Sequence, residues 1–363
     1  MEVRTKSGEQ ADSALRRSDY EFFLPPELIA QEPVDQRDRA RLMVLDRRTR
    51  TVTHAHVADL PKFLAAGDLL VVNDTRVIPA RVTTTTAGGG RVELLFIRPL
   101  PTPSNTAPMW VCMGKPARHF RPGRRILLPG DVGVQVIDRQ APGRYIVQWH
   151  GSLDVFTYLE RHGQAPLPPY IRRPHGPSPR DRERYQTIFA RVPGSIAAPT
   201  AGLHFTPALL EALQQAGVAI ASVTLHVGPG TFQPVRVEDV RLHRMEPEWC
   251  QIPPETAAAI RAAKSRGKRV IAVGTTTTRA LESSAAADGQ TVMPGARWAD
   301  QFILPGYRFR VIDALVTNFH LPGSTLLLLV AALVGRTWLL ECYAEAVRRR
   351  YRFYSYGDAM LIL

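Results

Sequence analysis

The stretch PETAAAIRAAKSRGKRVIAVGTTTTRALES, residues 254–283, decides the fold. It predicts a helix over 254–267, a short apolar strand over 269–274 and a second helix that begins among the threonines. A strand flanked closely by helices pairs in parallel with similar strands, and its helices cover the sheet. The stretch therefore predicts an α/β fold.

The same alternation extends on both sides of this stretch. Helices are predicted at PALLEALQQAG, STLLLLVAALVG and LLECYAEAVRRRY, and strands at VAIASVTLHV, QFIL and RVIDALVT. LDVFTYLERHG, residues 153–163, predicts a further helix, and another is expected near 181–190. These elements predict a mainly parallel sheet with flanking helices, to which segment 19–67 also belongs.

Residues 68–152 have a different pattern. Short apolar runs such as RVELLFI and RYIVQW alternate with turns such as AGGG and APG, and no stretch is long and periodic enough for a helix. Such spacing is typical of antiparallel strands in a small barrel or sandwich. We predict three parts: a disordered polar lead-in at 1–18, an α/β catalytic body at 19–67 and 153–363, and an inserted β-barrel domain at 68–152.

The composition indicates the compartment and the kind of partner. The N-terminus lacks the apolar core of a signal peptide, and the longest apolar run, 325–335, is too short to span a bilayer. Three widely spaced cysteines exclude a disulfide framework, so we predict a cytoplasmic protein, and nothing demands more than a monomer. A net charge of +13 favours nucleic acid as the partner, although arginine-rich genome composition explains it almost as well.

Three predicted strands end in loops of glycine and small polar residues: VTLHVGPGTFQPV, VGTTTTRALES and VTNFHLPGST. Ligands bind at the carboxyl ends of parallel strands, so these loops are expected to meet at one site. The uncharged segment GSIAAPTAGLHFTPALL, residues 194–210, precedes the first of these strands and is expected to pack at the same edge. Turn and cap formation alone explains any single loop.

Histidines are the candidate proton-transfer groups, because histidine titrates near neutral pH. His204, His226 and His320 are the candidates, together with Glu282, which no capping box explains. A single histidine is more often structural. Zinc spacing, GxSxG and the P-loop are absent from the sequence, so no metal and no resident cofactor is predicted.

Arginines near aromatic residues are the candidate RNA contacts, with a solvated basic face as the alternative. They lie in NDTRVIPARV and in PLPPYIRRPHGPSPRDRERY: Arg76, Arg81, Arg172, Arg173, Arg182 and Arg184.

Eleven blocks, in order from about residue 20 to the end, resemble one enzyme family. They include DLLVVNDTRVIPAR, IAAPTAGLHFT, VTLHVGPGTFQPV, KRVIAVGTTTTRALES, DALVTNFHLPGSTLLLLV and YRFYSYGDAMLI. The chain is similar to the S-adenosylmethionine:tRNA ribosyltransferase-isomerases of queuosine synthesis. The resemblance implies an α/β body with an inserted β-barrel. It also implies transfer of the ribosyl part of S-adenosylmethionine to 7-aminomethyl-7-deazaguanine in tRNA, giving epoxyqueuosine-tRNA, adenine and methionine.

In the reaction that this resemblance implies, a base removes a proton from the ribose 5′ carbon beside the sulfonium. Adenine then leaves, the deazaguanine amine attacks, and epoxide closure expels methionine. We predict that S-adenosylmethionine is bound by small residues of the three loops and the uncharged segment: Thr200, Gly202, Gly228, Gly230, Gly274, Thr275, Thr276 and Asn318. Uncharged walls around His204 are expected to admit adenosine without placing an arginine beside the positive sulfur.

One departure from the family pattern concerns proton transfer. Where the family usually has His-x-Met-His-x-Glu, this chain has HRMEPE, so Glu246 replaces a histidine. Two alternative functions fit the same residues: an S-adenosylmethionine-dependent RNA methyltransferase and a non-catalytic tRNA-binding protein. The sequence lacks the glycine fingerprint expected of an ordinary methyltransferase.

Overall fold

The computed structural model describes residues 15–86, 88–104, 106–232, 234–288 and 291–363. Most of the predicted lead-in, residues 1–14, lies outside them. The strands are Arg41–Asp46 (β1), Thr51–His56 (β2), Leu69–Asn73 (β3), Thr75–Val77 (β4), Arg81–Thr85 (β5), Arg91–Leu100 (β6), Met109–Lys115 (β7), Arg125–Leu128 (β8), Val132–Ala141 (β9), Arg144–His150 (β10), Val192–Ser195 (β11), Ala219–Leu225 (β12), Glu248–Ile252 (β13), Val270–Val273 (β14), Gly295–Ala299 (β15), Ala314–Asn318 (β16) and Ala359–Ile362 (β17). The helices are Val155–His162 (α1), Pro179–Arg184 (α2), Pro207–Gln215 (α3), Pro254–Ser265 (α4), Thr275–Ser283 (α5), Thr325–Val334 (α6) and Arg336–Arg348 (α7).

A nine-stranded mixed sheet forms the larger part of the molecule, in the order β15-β13-β12-β3-β14-β16-β17-β1-β2. The four consecutive strands β12, β3, β14 and β16 are parallel, as predicted. The prediction of a mainly parallel sheet is wrong for the flanks, where β13, β15 and β2 pair antiparallel with their neighbours and β17 runs antiparallel to β16. The connections between β1 and β2 and between β12 and β13 contain no α-helix, and an antiparallel pair needs no helical crossover.

The fully buried strand β3 lies in the middle of this sheet, between β12 and β14. The predicted boundary at residue 68 placed it in the insertion, and that is wrong. Its apolar run LLVV is as short as those of the insertion, so spacing alone did not separate it from them. A strand buried on both faces has no alternation to show, which is typical of the centre of a parallel sheet.

Strands β5 to β10 form a second sheet, in the order β5-β6-β7-β10-β9-β8, with every pair antiparallel. The sheet curls until its edge strands β5 and β8 contact each other, which gives it a barrel-like shape. It encloses its own apolar core, which includes Phe96, Trp110 and Trp149. The predicted antiparallel pattern is therefore confirmed for residues 81–150, and the preceding strand β4 pairs parallel with β11 instead.

The apolar run that is too short for a bilayer forms α6, which is almost entirely buried. Among the described residues no single helix is long and apolar enough to cross a membrane, and α6 and α7 reach that length only as a pair bent by 115°. The predicted strand QFIL has no strand structure, and the helix expected near 181–190 ends at Arg184.

Candidate active site

The three predicted loops follow β12, β14 and β16, and they meet at one edge of the nine-stranded sheet. Helix α5 begins directly after Gly274, whose φ of +93° is a conformation that favours glycine. The expected convergence of the loops is therefore present. The residues of these three loops line two adjoining cavities, and Val227 lines both.

The smaller cavity, of about 20 Å³, lies among the small polar residues predicted to bind S-adenosylmethionine. Its lining includes Thr200, Gly274, Thr275, Thr276, Asn318 and His320. This volume suits about one water molecule. A cavity of this volume does not hold adenosine in this conformation, so adenosine binding beside His204 stays a prediction.

Hydrogen bonds hold the polar walls of the smaller cavity. Asn318 accepts a bond from Thr200 Oγ1 at 2.8 Å and donates to Nε2 of His204 at 3.2 Å. His320 Nε2 lies 2.9 Å from Thr317 Oγ1. His204 is 4 % exposed and lines neither cavity. Gly202 is also buried, against Thr187, and lines neither.

The larger cavity, of about 560 Å³, lies between the two sheets. Its size is in the range of sites for small organic ligands. Aromatic rings from both sides line it: Trp110, Phe156, Trp249 and Trp298. Gly228 and Gly230, both predicted as binding residues, lie in its wall. This cavity is therefore the candidate active site.

His226 is the one predicted catalytic histidine in the lining of this larger cavity. Its Nδ1 lies 2.8 Å from Thr75 Oγ1, and its ring stacks on Trp249 with the centroids 4.9 Å apart. On a third side stands Gly194, where a Cβ atom would lie 2.6 Å from Nε2. These contacts fix the imidazole in one orientation.

The residues that position His226 were not predicted from the sequence. Asn73, at the end of β3, accepts a hydrogen bond from the backbone N–H of Leu225 at 3.0 Å and donates to its carbonyl at 3.0 Å. Thr75 follows two residues later and contacts the imidazole. The polar triplet NDT, directly after an apolar strand, could have indicated these residues. Because that strand was assigned to the insertion, the triplet was not placed at the edge of the larger sheet.

A second feature that the sequence did not reveal is a buried ion pair at the wall of the larger cavity. Glu248 and Arg279 have side chains that are 4 % and 2 % exposed, and they form a salt bridge. Glu248 also accepts hydrogen bonds from the backbone N–H of Gly228 at 2.8 Å and from Thr231 Oγ1 at 2.6 Å. The pair therefore ties the loop after β12 to helix α5.

Glu282 has a structural role in this fold. Its fully buried carboxylate accepts hydrogen bonds from the Tyr307 hydroxyl at 2.9 Å and from the backbone N–H groups of Arg310, Val311 and Ile312 at 3.0 to 3.1 Å. These four donors make it an anchor for the segment before β16. It lines neither cavity, and its catalytic role stays a prediction.

The six predicted RNA-binding arginines fall into two groups. Arg76, Arg172 and Arg182 are exposed or half-exposed, and the first and last of them share Glu160. Arg81, Arg173 and Arg184 are less exposed and bond to carboxylates or carbonyls of the protein itself. The second group stabilises the fold. In the first group Arg76 and Arg182 are paired with Glu160 at the surface, and Arg172 is exposed.

Burial lowers the pKa of all three candidate histidines from the ordinary value of 6.5. The pKa falls to about 4 for His204 and His226 and to about 3 for His320. All three imidazoles are therefore neutral at pH 7. Within the described ranges, no group of three or more His, Cys, Asp or Glu residues is arranged to hold a metal ion.

These shifts predict acid destabilisation. As the pH falls from 6.5 to about 4, these histidines become protonated in the unfolded chain but stay neutral in the native protein. The unfolded state therefore binds more protons, and the free energy of unfolding decreases. Each buried histidine contributes up to about 1.4 kcal/mol per pH unit. Urea unfolding between pH 6.5 and 5 should show this slope, and His320→Gln should reduce it by that amount. An unchanged slope in His320→Gln, equal to that of the surface control His175→Gln, would contradict the interpretation.

This chain is similar to one family of known proteins. The sequence model of the family described as "Queuosine biosynthesis protein" matches residues 17–362. The S-adenosylmethionine:tRNA ribosyltransferase-isomerase of Citrifermentans bemidjiense is 53% identical over 345 residues, covering 95% of this chain and 99% of that protein. The protein of the same name from Geotalea uraniireducens is 51% identical, covering 96% and 100%.

A solved structure is also similar. The crystal structure of S-adenosylmethionine tRNA ribosyltransferase from Thermotoga maritima is 36% identical to this chain and has a TM-score of 0.54. The match covers 95% of this chain and 100% of the other.

Proposed function

Because the chain belongs to the queuosine biosynthesis family, whose similar members are S-adenosylmethionine:tRNA ribosyltransferase-isomerases, we propose that its chemistry takes place in the 560 Å³ cavity between the two sheets. The chain transfers the ribosyl group of S-adenosylmethionine to tRNA and isomerises it. The acceptor we propose is 7-aminomethyl-7-deazaguanine in the tRNA, and the products are epoxyqueuosine-tRNA, adenine and methionine. The observation that carries the location is the cavity's size together with its aromatic walls.

His226 is the general base that we propose for this reaction. Its Nδ1 contacts Thr75, which leaves Nε2 as the nitrogen available to a ligand. A neutral imidazole at the cavity wall is ready to take the proton from the ribose 5′ carbon, which the neighbouring sulfonium acidifies. The apolar walls keep water from the opened sugar, which is a reactive intermediate.

The small polar cavity is proposed to support this site rather than to hold the nucleoside. Thr275, Thr276 and Asn318 lie at the strand ends beside Val227, which lines both cavities. Movement of the loop after β12 would join the two spaces, because that loop is their shared wall. In this proposal the nine-stranded sheet carries the catalytic groups, and the six-stranded sheet covers the cavity.

One labelling experiment tests the activity against both alternatives. S-adenosylmethionine labelled in the ribose or in the methyl group is incubated with the protein and precursor-bearing tRNA, and free adenine is measured. We expect ribose label in the tRNA with equimolar adenine. Methyl label in the tRNA would indicate a methyltransferase. Binding of tRNA without adenine or label transfer would indicate a non-catalytic protein.

The surface arginines predict the salt dependence of tRNA binding. Arg172 is exposed on the loop before α2, and we propose that it contacts tRNA phosphate. Arg172→Gln should weaken binding and reduce the slope of log K against log salt by about 1. The matched control is Arg125→Gln, at an exposed position on β8. Equal slopes for both variants and the parent protein would remove Arg172 from the interface.

We further propose that the protein is a cytoplasmic monomer. The three cysteines, Cys112, Cys250 and Cys342, are free and buried. Free cysteines are typical of a reducing compartment.

A further inference from the structure

An ion pair between the two sheets stands in the wall of the larger cavity. Arg144, on β10, places its Nη2 atom 2.7 Å from Oε1 and 2.8 Å from Oε2 of Glu246, which precedes β13. The two side chains are 21 % and 38 % exposed. This pair is separate from the His226 group, and nothing in the proposed proton transfer uses it.

Two other polar groups in the cavity wall, Glu248 and His226, already have hydrogen-bond partners. Glu248 is occupied by Arg279, Thr231 and a backbone N–H, and His226 is held by Thr75. Arg98 lies over the ring of Trp298, with its guanidinium carbon 5.3 Å from the centroid. On Arg144, Nη2 is the one side-chain atom that donates a hydrogen bond to another described residue, and its acceptor is Glu246. The Nε and Nη1 atoms of Arg144 are therefore available to a ligand.

We infer that Arg144 and Glu246 bind the amino-acid end of S-adenosylmethionine, an assignment that rests on the proposed function. The α-carboxylate of the methionine part binds the guanidinium, and the α-ammonium binds the carboxylate of Glu246. A zwitterion beside an ion pair of matching polarity satisfies all four charges, and planar guanidinium is suited to carboxylate. The surrounding walls are largely aromatic and aliphatic, so adenine and ribose have apolar surface to contact.

This assignment gives Glu246 a role that needs no proton transfer. A carboxylate at position 246, in the wall of the larger cavity, supplies a negative charge next to a cationic ligand. Because Arg144 lies on the six-stranded sheet and Glu246 on the segment that leads into β13 of the nine-stranded sheet, a ligand that binds both also holds the two sheets together.

The test compares ligands that differ in one charged group. Dissociation constants for S-adenosylmethionine, for decarboxylated S-adenosylmethionine and for the analogue lacking the α-amino group are measured by calorimetry, with and without tRNA. We expect the parent protein to bind each truncated ligand about 10–100-fold more weakly. Arg144→Met should bind S-adenosylmethionine and its decarboxylated form about equally. Glu246→Gln should likewise lose discrimination against the deaminated analogue.

Ratios measured on one variant are independent of its folded fraction, so partial unfolding does not imitate the result. Arg98→Met is the matched control, since Arg98 lines the same cavity and should keep the full preference for the carboxylate. The inference is overturned if Arg144→Met keeps that preference, if Arg98→Met loses it, or if the parent protein does not discriminate or bind. Adenine release is read separately, so a failure of the proposed function is distinguishable from a wrong assignment of these two residues.

Discussion

Replacement of Glu248 by alanine is expected to lower the free energy of unfolding by about 3–5 kcal/mol. The change leaves the guanidinium of Arg279 without its carboxylate at a position where that side chain is 2 % exposed. It also removes the acceptor for the Gly228 N–H and the Thr231 hydroxyl. An unpaired charge in the interior lowers the free energy of unfolding far more than the loss of a surface ion pair does, since a surface pair contributes at most about 1 kcal/mol.

Urea unfolding followed by circular dichroism measures this loss at pH 7. Glu211→Ala, an exposed position on α3, is the matched control and should change stability by less than about 0.5 kcal/mol. The double variant Glu248→Leu/Arg279→Met should recover part of the loss, because it removes both charges together. A loss below about 1 kcal/mol in Glu248→Ala would show that Arg279 finds other partners or water.

The sequence predicted three of the four central parallel strands, because each of them is an apolar run close to a helix. Strands β12, β14 and β16 each show an apolar run followed by a helix or a small-residue turn, and their parallel pairing follows from that order. Strand β17 was not predicted, because its apolar run AMLI has only four residues and follows an aromatic and basic stretch. In the structure these four residues are fully buried between β16 and β1.

The candidate site was predictable in part. The convergence of three loops required only parallel order, and the positions of Gly228, Gly274 and His320 follow from it. What the sequence did not show was which histidine faces the larger cavity, because that depends on where the six-stranded sheet packs. It also did not reveal that Glu282 meets backbone N–H groups some 30 residues later in the chain.

Replacement of His226 by alanine is expected to reduce kcat for adenine release by about 10²–10⁴-fold, the usual contribution of a general base. Burial lowers the pKa of this imidazole to about 4, so the base is neutral above that pH and protonated below it. Activity that depends on His226 should therefore be flat from pH 5 to 8 and fall as the pH drops through about 4. Single-turnover adenine release with precursor-bearing tRNA measures the effect.

Two comparisons separate chemistry from folding. His204→Gln changes a histidine that lies outside both cavity walls, so it should lower stability while the folded fraction keeps its kcat. Gly194→Ala keeps the imidazole of His226 in the protein but changes its position, because a Cβ atom at residue 194 would lie 2.6 Å from Nε2 and must displace the ring. It should lower kcat in the same direction as His226→Ala, because catalysis by a general base depends on its position. Full activity in both His226→Ala and Gly194→Ala, with loss of activity in His204→Gln, would contradict the assignment of His226 and indicate His204 as the base.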